Sequence, residues 1–214
     1  MLKFLHIPRT GGTSIEDIAI KHNIKWGRFD SWYQQNSIHR YSCVYGNSRF
    51  LPPWHHKFDF SRLNNNIFFC VIRNPIDRFI SCYYMPFPQK DGIQNKTTET
   101  KNQFNKNISY LADKIKDNYI GQYGHQHNYI EFKHLDKIHI LCFDRLVEDS
   151  NRLFQKYHLP IKLTNSTKSA PSPYRYRVKD LTKQNRDKLD FIFRKDYDLY
   201  INVKMNTLEK QCNE

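Results

Sequence analysis

The residues best equipped for chemistry stand near the start of the chain, at Arg9-Thr10-Gly11-Gly12-Thr13-Ser14. One cation and three hydroxyls flank a pair of glycines there. Adjacent glycines let backbone approach a ligand closely, and the amides of such a turn converge on one point. If a helix follows, its N-terminal dipole favours an anion at that point. The chemistry expected is phosphate binding. It is not the magnesium-dependent nucleotide loop, because Gly-x-x-x-x-Gly-Lys-Ser/Thr occurs nowhere in the chain. The dinucleotide pattern Gly-x-Gly-x-x-Gly is missing as well.

A second pair is Arg73 with Ser81 eight residues later. A guanidinium fork beside a hydroxyl suits a second phosphate. Taken alone, the pair reads equally well as an ion-paired arginine and a small packed serine. Trp54-His55-His56 sets two imidazoles side by side, facing opposite ways in an extended chain, so that at most one points at a given ligand. His125 and His127 form a further pair that could supply a base instead, although their spacing two apart equally suits two exposed residues.

The elements that position these groups alternate along the chain. Leu2 to Ile7 is an apolar run that reads as a buried strand, and Ile15, Ile18 and Ala19 mark the face of a helix after the turn. Ile67 to Ile72 reads as an inner strand covered on both faces. Asn74 then caps a helix with Pro75 at its first position and Asp77 in its first turn. A third strand-and-helix unit spans Ile138 to Tyr157, and Phe104, Ile108, Leu111 and Ile115 recur at core-facing helical spacing. A last helix starts with Thr182 as cap and buries Leu189, Ile192 and Phe193. Met85 to Thr100 and Leu163 to Tyr176 read as loops. This alternation predicts one α/β domain over residues 1–214, with a central parallel sheet, flanking helices and right-handed crossovers.

Together the two phosphate segments resemble the sulfotransferases that use 3′-phosphoadenosine 5′-phosphosulfate (PAPS), and most closely their carbohydrate O-sulfotransferase branch. In that family His-Ile-Pro-Lys-Thr-Gly-Gly-Thr-Ser binds the 5′-phosphosulfate; here His6 to Ser14 match it with Arg9 in place of lysine. The family's 3′-phosphate motif is an arginine at a strand end and a serine eight residues on, as Arg73 and Ser81 are. The resemblance extends to Cys142-Phe143-Asp144-Arg145-Leu146 and to a closing helix from Asp180 to Tyr197. It implies a P-loop-like three-layer domain that moves a sulfuryl group from PAPS to a hydroxyl of a carbohydrate, leaving 3′,5′-adenosine bisphosphate (PAP). Thr10, Gly11, Gly12, Thr13 and Ser14 would cradle the donor, and Arg9 would stabilise the departing oxygen. His55 would take the acceptor proton, with His56 as runner-up. A family loop that closes over the nucleotide points to Lys168. Sulfuryl transfer asks for no metal, and the sequence presents no cluster of metal ligands. Two other readings are a nucleotide-dependent phosphotransferase on a similar fold, and a non-catalytic basic protein that binds a polyanion.

Thirty-four basic against twenty-one acidic residues give a net charge of +13, which suits an anionic partner such as a multiply phosphorylated nucleotide or an anionic glycan. The lysines are dispersed as on a solvated surface, so no specific nucleic acid is expected. No apolar run reaches membrane-spanning length, and no secretory signal is read, so the expected location is the cytoplasm. The five cysteines have no paired spacing, and Cys43, Cys70 and Cys142 are expected as small buried hydrophobes.

Overall fold

The structure, a computed structural model, describes residues 1–35, 37–38, 57–58, 65–85, 93, 96, 98–117, 123–130, 137–164 and 176–212. Among these are the strands β1 (Leu2–Leu5), β2 (Ser37–Ile38), β3 (Lys57–Phe58), β4 (Ile67–Ile72) and β5 (Ile138–Cys142). The helices are α1 (Gly12–Lys21), α2 (Ser31–Gln35), α3 (Pro75–Tyr83), α4 (Lys101–Asp117), α5 (Leu146–Lys156), α6 (Lys183–Ile192) and α7 (Arg194–Cys212). β1, β4 and β5 form a parallel sheet in that order, with Leu2 opposite Ile67 and Phe68 opposite Ile138. β2 and β3 pair antiparallel.

β4 is the middle strand, and its unbroken apolar sequence follows from having helices over both faces. Side chains alternate along it. Phe68, Cys70 and Ile72 join a core that includes Leu199 and Tyr200 of α7. Phe69 and Val71 face the other way, into a core with Ile15 and Ala19 of α1 and Leu153 and Phe154 of α5. The described residues are thus mixed α/β, with a three-stranded parallel sheet flanked by helices. A third core lies between α3, α4 and α6, where Phe79, Phe104, Ile108, Leu111 and Leu189 are fully buried.

Local signals act as their chemistry dictates. The Asn74 side chain accepts from the amides of Ile76 and Asp77 at 3.1 and 3.2 Å, and Pro75 takes the first position of α3. Thr182 accepts from the Asn185 amide at 3.3 Å and starts α6. Cys70 and Cys142 are buried free thiols, while Cys43 lies outside the described residues. Two boundaries differ from expectation. The first strand stops at Leu5, leaving His6 and Ile7 buried in the loop. The single closing helix is two helices, broken at Phe193. No Pro or Gly marks the break; instead Phe193, wholly buried, packs its ring 5.9 Å from Phe79 and 5.2 Å from His125. No helix among the described residues is long and apolar enough to cross a membrane.

Candidate anion site at the carboxyl ends of the strands

Parallel strands deliver their following loops to one edge of the sheet, the edge where open α/β sheets receive ligands. The loop after β1 is shaped by its two glycines for different reasons. Gly11 has φ 91°, the left-handed region, and a Cβ there would also lie 2.8 Å from Cδ2 of Leu146. Gly12 has no room because His6 crowds it, with Nε2 2.6 Å from where a Cβ would stand. His6 cannot easily give way, since its Nδ1 is 2.7 Å from Oε1 of Glu16, a fully buried residue. Thr10 is also fully buried, and its hydroxyl donates to the Ile7 carbonyl at 2.8 Å. That hydroxyl proton therefore holds the loop together. Thr13 is exposed and Ser14 half-buried at the first turn of α1, where helical amides lack an intrahelical acceptor.

Arg9 sits in this loop with φ 66°, a left-handed conformation that a non-glycine residue adopts only at a cost. Its Nε donates to Oγ of Ser81 at 3.0 Å. Arg73, just past the end of β4, sends Nη1 toward the Arg9 carbonyl in a long 3.5 Å contact and lays its guanidinium 4.4 Å from the Phe143 ring centroid. The structure therefore brings Arg9, Arg73, Ser81 and the glycine turn to one place. Two guanidinium groups, a hydroxyl and a helix N-terminus can together receive a ligand with more than one phosphate. His55, His56 and Lys168 lie outside the described residues.

Three further features carry no local signal in the sequence. Arg78 is buried in α3, with Nε donating to the Pro8 carbonyl at 2.8 Å and Nη1 to the Gly124 carbonyl at 2.7 Å. It ties the glycine loop to the segment 123–130. Gln126, also buried, clasps the main chain of Arg73: its Oε1 accepts from the Arg73 amide at 2.9 Å and its Nε2 donates to the Arg73 carbonyl at 2.8 Å. His125 and His127 flank this glutamine and meet Asp196 of α7. Asp196 accepts from the Gln126 amide at 2.8 Å and the His127 amide at 3.0 Å, and its Oδ1 is 2.6 Å from Nδ1 of His127. Burial pushes the Asp196 carboxyl up, but these donors outweigh it and hold the group below the usual carboxylate range. An ionised carboxylate only accepts, so Nδ1 of His127 carries the proton between them. Burial holds His125 below the ordinary imidazole value, and its Nδ1 has neither a hydrogen-bond partner nor contact with solvent.

The pair at 125 and 127 is thus half-buried and convergent, with ring centroids 5.0 Å apart. No protein-family model, no curated protein and no solved structure matches this chain.

Proposed function

We propose that this chain is a sulfotransferase that takes its sulfuryl group from PAPS and delivers it to an acceptor hydroxyl of a carbohydrate, on a single P-loop-like α/β domain spanning residues 1–214. One observation carries the reading: the arginine of the glycine loop and the serine of the second motif are hydrogen-bonded, with Arg73 beside them. Two segments distant in sequence, each with groups suited to a phosphate, thus meet, which supports a ligand phosphorylated at two positions. In the proposed reaction the acceptor oxygen attacks sulfur as the bond from sulfur to the bridging phosphate oxygen breaks. The electron pair leaves on that oxygen, where a fixed guanidinium stabilises it. Arg9 has this role, Arg73 and Ser81 hold the 3′-phosphate, and Gly11 to Ser14 surround the 5′-phosphate. The hydroxyl proton passes to a histidine, for which His55 is the proposed base and His56 the second choice. Lys168 is proposed to close over the nucleotide.

Calorimetry with PAP and with magnesium-ATP tests the assignment. PAP is expected to bind without magnesium and more tightly than magnesium-ATP does. Equal or tighter binding of magnesium-ATP overturns the reading in favour of a phosphotransferase.

A further inference from the structure

We propose that His125, His127 and Asp196 form a site for a zinc-type divalent cation, set behind the anion site and separate from its chemistry. One ligating atom from each residue lies within 4.8 Å of the other two. Two imidazoles and one carboxylate are a donor set typical of zinc, with three protein ligands and a remaining position for water. Hard cations such as magnesium prefer all-oxygen surroundings and are not expected here.

The partial bonding of the cluster supports this. The ring of His127 is already on Oδ1 of Asp196, while Nδ1 of His125 stands 3.9 Å from Oδ2 of the same carboxylate. That nitrogen is shut off from water and has no hydrogen-bond partner. Buried polar atoms in folded proteins are almost always paired, so an orphan aimed at a carboxylate oxygen calls for something between the two. A cation bonded to both, and to a ring nitrogen of His127, would fill that need. The proton now between His127 and Asp196 would pass to solvent.

The positive charges of Arg78 and Lys195 bear on His125 and oppose a cation, but the Arg78 guanidinium is turned to the carbonyls of Pro8 and Gly124. The sequence brings the ligands from two places, the segment before β5 and the first turn of α7. A cation would therefore pin α7 to the residues on either side of Gln126. Because Gln126 clasps the main chain of Arg73, filling the site would stiffen the strand end that presents Arg73. The inference does not depend on the sulfuryl-transfer reading.

The full-length protein, stripped with EDTA and dialysed, is titrated with Co(II) and then with Zn(II). One equivalent of cobalt is expected to give the visible d–d bands of a four- or five-coordinate site, displaced by zinc, and zinc is expected to raise the melting temperature. His125→Ala removes no hydrogen bond of the ring nitrogen and should stay folded, which circular dichroism checks. It should lower cobalt affinity about tenfold or more. His127→Ala should do the same, whereas His22→Ala, at an exposed residue, should leave binding unchanged. Absence of saturable binding overturns the proposal. So does binding that His125→Ala leaves intact, which would mean only weak uptake by the ten histidines of the chain.

Discussion

Arg9 reaches Ser81 across seventy-two positions of sequence, its Nε donating to the serine Oγ at 3.0 Å. The bond fixes a loop cation against the second turn of α3, so the glycine loop and the segment from Arg73 to Ser81 are set together. Removing either motif should therefore disturb ligand binding at both, and the energies should not add.

If Arg73 holds the 3′-phosphate as proposed, Arg73→Ala should weaken PAP binding by about 2–4 kcal/mol, because a charged pair is lost and the phosphate is left unpaired. Adenosine 5′-phosphosulfate, which lacks that phosphate, should bind both proteins about equally. Titration calorimetry with the two ligands checks this, and equal losses for both would make Arg73 a structural residue.

His55→Ala should cut turnover by about 10²–10⁴, the usual range for loss of a general base. PAP affinity should hold, since on the proposed reading its phosphates are gripped by the glycine loop and by Arg73 and Ser81. His56→Ala should lose far less. Steady-state turnover measured on a panel of saccharide acceptors separates the two; a dead His56 variant beside an active His55 variant would move the base by one residue.

Arg78→Met should destabilise the fold by about 2–5 kcal/mol, because the carbonyls of Pro8 and Gly124 lose their buried donor. Arg78→Lys should recover little, since one ammonium does not span both carbonyls as a planar fork does. Urea denaturation monitored by tryptophan fluorescence reads both variants, and a shift within experimental error would mean that water or another donor replaces the guanidinium.

Asp149 gives a pH dependence of opposite sign to the usual carboxylate. Its residue is 7% exposed, and burial raises the carboxyl above its ordinary 3.8 despite Arg145, whose Nη2 is 3.4 Å away. With the folded value above the unfolded one, its contribution is fully present below 3.8 and is lost as pH rises through the folded value. Asp149→Asn should therefore raise the melting temperature at neutral pH, and the advantage should shrink on acidification. A variant less stable at neutral pH would show that the Arg145 pair outweighs burial.

The parts legible in sequence are those encoded over a turn or a strand. The run Ile67 to Ile72 announces a covered strand because Phe68 to Ile72 are buried on both faces of the sheet, and Asn74-Pro75 announces the start of α3 because capping needs only neighbouring amides. The glycine turn was likewise readable, though not the reason for Gly12, which lies in the ring of His6. The contacts that assemble the site are of another kind. Nothing near Arg78 states that its guanidinium reaches Pro8 and Gly124, and nothing near His127 states that its partner is Asp196 on a distant helix. The break at Phe193 escaped for the same reason: it serves a tertiary contact, with neither proline nor glycine to mark it.

The strand order has a kinetic side. The middle strand pairs residue 67 with residue 2 and residue 68 with residue 138, so no part of the sheet is local. Closing loops of that length must precede any reward from pairing, which places such chains among slow folders. During synthesis Phe68 to Ile72 lack their second partner strand until Ile138 to Cys142 have left the ribosome, and α7, which covers one face, comes later still than β5. The same topology that gathers Arg9 and Arg73 at one end of the sheet therefore leaves the apolar run Ile67 to Ile72 with one side unpaired while the chain up to β5 is made, an interval in which such a segment is open to aggregation.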